Sequence, residues 1–220
     1  MIFLQKYGFY FLLLGVISDL STPYILGLFY PKLNQMTTVI SVFGDVDSPV
    51  RRAFLVWSVV SGLFFVLSLP ALYHLFIGTS KTLAILAVAT VGLYGIGDCI
   101  FTGLFSINTN ESSWNLSTWI HNIGSGLGYA GFLLFPLLLV LLYRQSGQGT
   151  LSHFYLVLTV ISLLIAGLYG LARIPSISQF AFFKQLGFFQ RLSFFFNYLP
   201  MICLSFFNYE SRKSSVKLIK

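Results

Sequence analysis

Six runs of about 20 or more mostly apolar residues, at 7–30, 53–78, 82–105, 117–143, 151–173 and 187–207, take up most of this chain, and each is long enough to cross a bilayer as an α-helix. Lipid offers a backbone no hydrogen bonds, so a spanning segment must satisfy its own as a helix or join a closed β-barrel. Barrel strands alternate apolar and polar residues over about ten positions, and runs such as 132–142 do not alternate. The expected fold class is therefore all-α: an integral membrane bundle of six transmembrane helices within residues 1–210, followed by a basic cytoplasmic tail at 211–220.

Charge is too scarce for water to be the main solvent. Charged residues make up 9% of the chain, against about 25% in an ordinary soluble domain. Six Asp plus Glu cannot keep 24 Phe and 12 Tyr dispersed in water, so that surface is expected to face lipid and neighbouring helices. The net charge of +7 comes from 13 Lys and Arg scattered between the apolar runs, with no basic stripe, and nucleic acid is not an expected partner. Cys99 and Cys203 have no CxxC spacing, which points to neither a disulfide framework nor a metal site, and no cofactor is expected. In the six-span layout the two thiols lie in opposite leaflets, about 15 Å apart in depth, too far to be bridged.

The first run begins after Lys6, and Val16-Ile17-Ser18 has the look of a leader cleavage site, but its apolar character continues to Tyr30, so it reads as a helix. Six spans put both termini on one side, together with Lys6, Lys81, Arg144, Arg212, Lys213, Lys217 and Lys220. Lys32, Arg51, Arg52, Arg173, Lys184 and Arg191 fall on the other side. Seven basic residues against six give a topology with both termini cytoplasmic, in the cell membrane, and the bias grows if Arg173 and Arg191 turn into the bundle. The outer side then carries the long connections, 31–52, 106–116 and 174–186. Glycosylation sequons at Asn110 and Asn115 read as coincidence, as do the repeats of Gly92-Leu93-Tyr94-Gly95 at 167–170 and of Ser61-Gly62-Leu63 at 125–127.

Ionisable groups inside spans cost about 3 kcal/mol each at mid-helix and need a partner, a wet cavity or a function. Asp98 lies about 10 Å from the outer end of its span, on a face shared with Gly95 and Thr102. Asp19 lies near the midplane, and local repair of the backbone around Pro23 by Ser21 and Thr22 accounts for it as well as a function does. The fourth span opens with Thr118, His121, Gly124, Ser125 and Gly128 on one face. That face reads either as a packing seam built on a GxxxG or as the wall of a cavity with His121 as proton acceptor, ligand contact or pH sensor. Arg173, Gln190 and Arg191 fall at the same depth as Asp98 and His121, although an arginine at a helix end also snorkels to headgroups. The basic tail suits the anionic inner leaflet.

Further features of the chain are Tyr30-Pro31 after the first span, Ile40-Ser41 and Gly44 in the first outer loop, and Arg51-Arg52 opening the second span. Gly103-Leu104-Phe105 closes the third, His121-Asn122 opens the fourth and Gln190-Arg191-Leu192 opens the sixth. In these the chain resembles a family of small prokaryotic six-span membrane proteins known as a domain of unknown function, number 998. The family's usual Pro after the third-span Phe is Ser106 here. The resemblance implies a topology and a polar outer patch, and brings no activity with it.

The leading expectation is a protein that binds or transports a small or lipid-like anionic ligand in an outer-leaflet cavity, with Asp98, His121, Ser125, Arg173, Gln190 and Arg191 as the ligand-binding set. An Asp98–His121 ion pair within one interior site is part of that expectation. One alternative is a membrane-embedded lipid hydrolase with His121 as base and Ser41 or Ser125 as nucleophile. Another is an accessory subunit whose small-residue faces bind another membrane protein. Membrane lipids are expected neighbours in each case, and an oligomer or partner subunit fits the third. No GxSxG, HExxH or Walker loop is present, and an enzyme is the less favoured class.

Overall fold

The computed structural model describes residues 2–111 and 113–217. Among them the chain is all helical, with no strand. Six long helices follow in order: α1 (Ile2–Leu28), α2 (Arg51–Phe76), α3 (Lys81–Leu104), α4 (Leu116–Gln145), α5 (Gly149–Ala172) and α6 (Leu186–Lys217). The first five have the length and composition of membrane-crossing helices. With 32 residues α6 is long enough, but Gln190, Arg191, Ser193 and Asn197 dilute the apolar run in its first half. Its backbone stays helical beyond residue 210, so most of the segment expected as a free tail continues the helix to Lys217. Lys220 lies outside the described residues.

Local chemistry sets the helix starts. Ser80 caps α3 by accepting from the Leu83 N–H at 3.4 Å, and Asn115 caps α4 by accepting from the Thr118 N–H at 2.9 Å. The second sequon asparagine therefore has a structural task. Prolines 23, 70, 136 and 200 lie inside helices, where each removes a backbone donor. Around Pro23 the Ser21 and Thr22 hydroxyls both donate to the Ser18 carbonyl at 2.9 Å, joined by the Trp57 indole N–H at 3.1 Å. All three bonds go to the Ser18 carbonyl, one residue before the Asp19 carbonyl that Pro23 leaves without a backbone donor, so the expected local repair is not what these hydroxyls do.

Each helix packs on the next, and α6 returns to α1, closing a ring. The Tyr10 and Tyr209 rings meet at 6.3 Å, so both chain ends lie at one end of the bundle, with the three long connections at the other. Glycines let α3 and α4 touch backbone to backbone. A Cβ on Gly97 would meet the Gly124 carbonyl at 2.5 Å, and one on Gly128 would meet the Asp98 nitrogen at 2.5 Å. The GxxxG of the fourth span thus has α3 as its partner. By contrast, Gly167 and Gly170 face open space while Gly95 packs on Phe65, so the tetrapeptide shared by α3 and α5 serves two different purposes.

Within α3, residues Tyr94–Phe101 form a π-helix, whose wider turn bonds each residue to the fifth along. Tyr94 and Cys99 are five positions apart, about 140° around an α-helix at 100° per residue, but close to one full turn in the π form. Both face the bundle centre and are almost fully buried. Tyr94 stacks on Phe132 of α4 at 4.2 Å between centroids.

At the loop end, residues 45–51 and 106–111 are clipped together. Buried Asp45 accepts from the Asp47 and Thr109 N–H groups at 3.1 and 2.9 Å, and the Val46 N–H donates to the Ile107 carbonyl at 3.1 Å. Arg51 donates through Nε to the Ser106 hydroxyl at 2.8 Å. The serine that stands where the resembling family has proline therefore supplies an acceptor that proline lacks.

Candidate functional site

The ring of helices encloses a cavity of about 270 Å³ at the loop end, walled by all six helices and by residues 39–41. Asp98, His121, Ser125, Arg173, Gln190 and Arg191 all line it. Helix rise fixes depth, so residues at similar positions along separate spans meet at this level of the bundle.

The mouth is built from the first turns of α6. The Gln190 amide oxygen accepts from the Ile40 N–H at 2.7 Å, and the Phe188 N–H donates to the Met36 carbonyl at 2.9 Å. Gly187 allows this close approach, since a Cβ there would press on the Thr38 nitrogen at 2.8 Å. Arg191, only 7% exposed, donates through Nη1 to the Thr38 and Gly187 carbonyls at 3.0 and 2.9 Å. Its Nε and Nη2 are buried without a partner. These two nitrogens form one edge of the guanidinium, the side-on fork that matches the two oxygens of a carboxylate or phosphate.

His121 is 1% exposed, and its Nδ1 donates to the Phe105 carbonyl at 2.7 Å, because a carbonyl only accepts. Nε2 is left buried without a partner on the cavity wall. No serine hydroxyl reaches it, so the base and nucleophile of the hydrolase alternative share the cavity without a hydrogen bond between them. Arg173 stays exposed at the rim, over the Tyr169 ring at 5.6 Å and with Nη1 3.4 Å from the Tyr169 hydroxyl. Of the two arginines, one turns inward and one remains at the surface.

The expected Asp98–His121 ion pair is absent. Asp98 packs its Cβ against Gly128 and turns its carboxyl to Ser125, one helical turn along α4 from His121, which places the imidazole about 6 Å nearer the mouth than the carboxyl. Periodicity gives face and approximate depth, and the offset of about one turn between the two side chains lies beyond it. Asp98 faces Ser125 instead.

Asp19 and Tyr198 line the same cavity. One carboxyl oxygen of Asp19 accepts from the Tyr94 and Tyr198 hydroxyls, both at 2.5 Å, and lies 3.7 Å from the Cys99 sulfur. The two hydroxyls are 2.6 Å from each other. This three-helix knot of α1, α3 and α6 went unseen in the sequence, because two tyrosines among 12 carry no signal and the π-helix alters the face on which Tyr94 and Cys99 appear. Both cysteines are free thiols. No group of three metal-ligating side chains gathers among the described residues.

A family model covers residues 13–206, a stretch that holds α2 to α5 whole, most of α1 and α6, and every residue lining the cavity. The chain belongs to this family, described as protein of unknown function (DUF998). No curated protein and no solved structure matches the chain. Among the residues of the earlier resemblance, Ile40-Ser41, His121-Asn122 and Gln190-Arg191 lie on the cavity wall. Tyr30, Gly44 and Gly103 serve packing instead: the Tyr30 ring lies 6.4 Å from that of Phe43, Gly44 abuts Phe54, and Gly103 abuts the Leu55 backbone.

Proposed function

We propose that this is a six-span protein of the cell membrane with both termini in the cytoplasm, and that its cavity opens outward and binds the anionic group of a small solute or lipid headgroup for recognition or transport. The observation that carries the reading is the Arg191 fork, a fixed positive charge held by two carbonyls with its free edge buried on the cavity wall. Burying unpaired donors of a charged group costs several kcal/mol unless something occupies them, and a carboxylate or phosphate is the group that satisfies both at once.

Support for a sixth span comes from the pattern of α6. Gln190, Arg191, Ser193 and Asn197 are buried toward the ring, while Phe188, Phe195, Phe206 and Phe207 are exposed on the outside. That is the arrangement of a helix with lipid on one face and a polar interior on the other. With Arg191 turned inward, the excess of basic residues on the terminal side widens. Reporter fusions at either terminus are expected to read cytoplasm, and an external signal from the C-terminal fusion would invert the outward opening.

Binding is testable with methyl phosphate and acetate on the purified protein in nanodiscs. Either anion is expected to raise the unfolding temperature of the wild type, and Arg191→Gln to weaken the response about tenfold, the scale of one charged hydrogen-bond pair. Arg173→Gln, altered at the exposed rim, is expected to keep most of it. An unchanged response in Arg191→Gln overturns the proposal.

A further inference from the structure

Resting on that reading of the cavity, we infer that its ligand is a zwitterion, a phosphate or carboxylate with an ammonium group a short spacer away, as in ethanolamine phosphate or an amino acid.

The cavity wall carries cationic and carboxyl groups that do not pair with each other. Arg191 keeps its Nε and Nη2 unpartnered, and His121 its Nε2, with both side chains more than nine-tenths buried. Two carboxyl groups, Asp19 and Asp98, line the same space, and neither forms an ion pair with any described residue. A simple anion gains no partner from two carboxyl groups beneath it and is repelled by either one whenever it is ionised, whereas an ammonium group holds a carboxylate in its charged form. A simple cation meets the same objection from Arg191. A molecule with both charges, oriented anion toward the mouth and ammonium toward the floor, meets neither.

The spacing fits. His121 and Ser125 are one helical turn apart on α4, and Ser125 faces Asp98, so the imidazole level and the first carboxyl level differ by about 6 Å. Arg191 and Tyr198 are seven residues apart on α6, and Tyr198 holds Asp19, which puts the second carboxyl about 10 Å below the guanidinium. A spacer of two or three carbons, at about 1.5 Å per bond, spans the first interval and falls short of the second. Asp98 is therefore the ammonium partner, and Asp19, tied to two tyrosines, the floor beneath it. Tyr129 and Phe194, stacked on each other at 5.6 Å between centroids, belong to the same wall.

The probes are methyl phosphate and ethanolamine phosphate, compared by titration against the purified protein in a non-ionic maltoside detergent, which brings no phosphate or ammonium group of its own. Ethanolamine phosphate is expected to bind about tenfold more tightly, the value of one added charge-assisted contact. Asp98→Asn is expected to erase that preference while leaving methyl phosphate binding in place, which also shows that the variant is folded. A separate arm compares nanodiscs of phosphatidylethanolamine with phosphatidylglycerol. Stabilisation by the former alone assigns the zwitterion to a lipid headgroup, and a preference confined to the soluble probes assigns it to a free solute. Equal binding of the two phosphates by the wild type, with no difference between the two lipids, overturns the inference and leaves anion binding standing. Failure of both phosphates to bind, with no lipid preference, removes the anion reading and this inference with it.

Discussion

Gly128→Leu is expected to lower stability by about 3 kcal/mol or more, the cost of forcing bulk into a packed interior with no room to yield. A Cβ at this position meets the Asp98 nitrogen at 2.5 Å, the Asp98 Cβ at 2.7 Å and the Leu93 carbonyl at 3.0 Å. Two of these three are backbone atoms of α3, so no side-chain rotation relieves the contact and α4 must move away as a whole. The movement would open the α3–α4 seam, pull Phe132 off Tyr94 and shift Asp98 relative to Ser125. Gly167→Leu is the control, since a Cβ there meets nothing within 4 Å. It is expected to stay within about 0.5 kcal/mol of the wild type. Thermal unfolding in detergent separates the two, and equal stability of both variants would show that the seam is not a close backbone contact.

Much of this architecture is legible in the sequence, because the physics behind it is local. Apolar length marks the membrane helices, and a rise of about 1.5 Å per residue converts position in a span into depth. That conversion predicts similar depths for His121, Asp98 and Arg191 on three separate helices, and all three line the one cavity. The GxxxG at 124 and 128 also behaves as its spacing predicts. What the sequence hides is whatever depends on lateral distance or on a departure from the α-helix. The π segment of α3 is one such departure, and it brings Cys99 beside Asp19. The fates of Arg173 and Arg191 are another: each sits near a helix end, and only the 35–41 loop lying across the first turns of α6 decides that Arg191 is buried.

Asp19→Ala is expected to cost about 3 kcal/mol, on the scale of two hydrogen bonds to a charged group less the desolvation that burying the carboxyl had required. Tyr94 and Tyr198 are 0% and 1% exposed, so bulk solvent does not reach the lost acceptor's place, and only a water held in the cavity stands in for it. The two hydroxyls still touch at 2.6 Å, and one donates to its neighbour, which leaves the second hydroxyl proton without the carboxylate acceptor it had. Asp19→Asn keeps a carbonyl oxygen in place and is expected to lose less. Tyr94→Phe and Tyr198→Phe remove the stranded donors, so adding them to Asp19→Ala should cost less than the sum of the separate changes, the mark of groups that act as a unit. Thermal unfolding of the series measures this, and an Asp19→Ala protein as stable as the wild type would mean that the desolvation of the buried carboxyl outweighs both hydrogen bonds. Because Asp19, Tyr94 and Tyr198 come from α1, α3 and α6, their loss would act across the ring and not at one seam. It would loosen the cavity floor, so ethanolamine phosphate binding should weaken in Asp19→Ala even though the ammonium contact assigned to Asp98 is untouched.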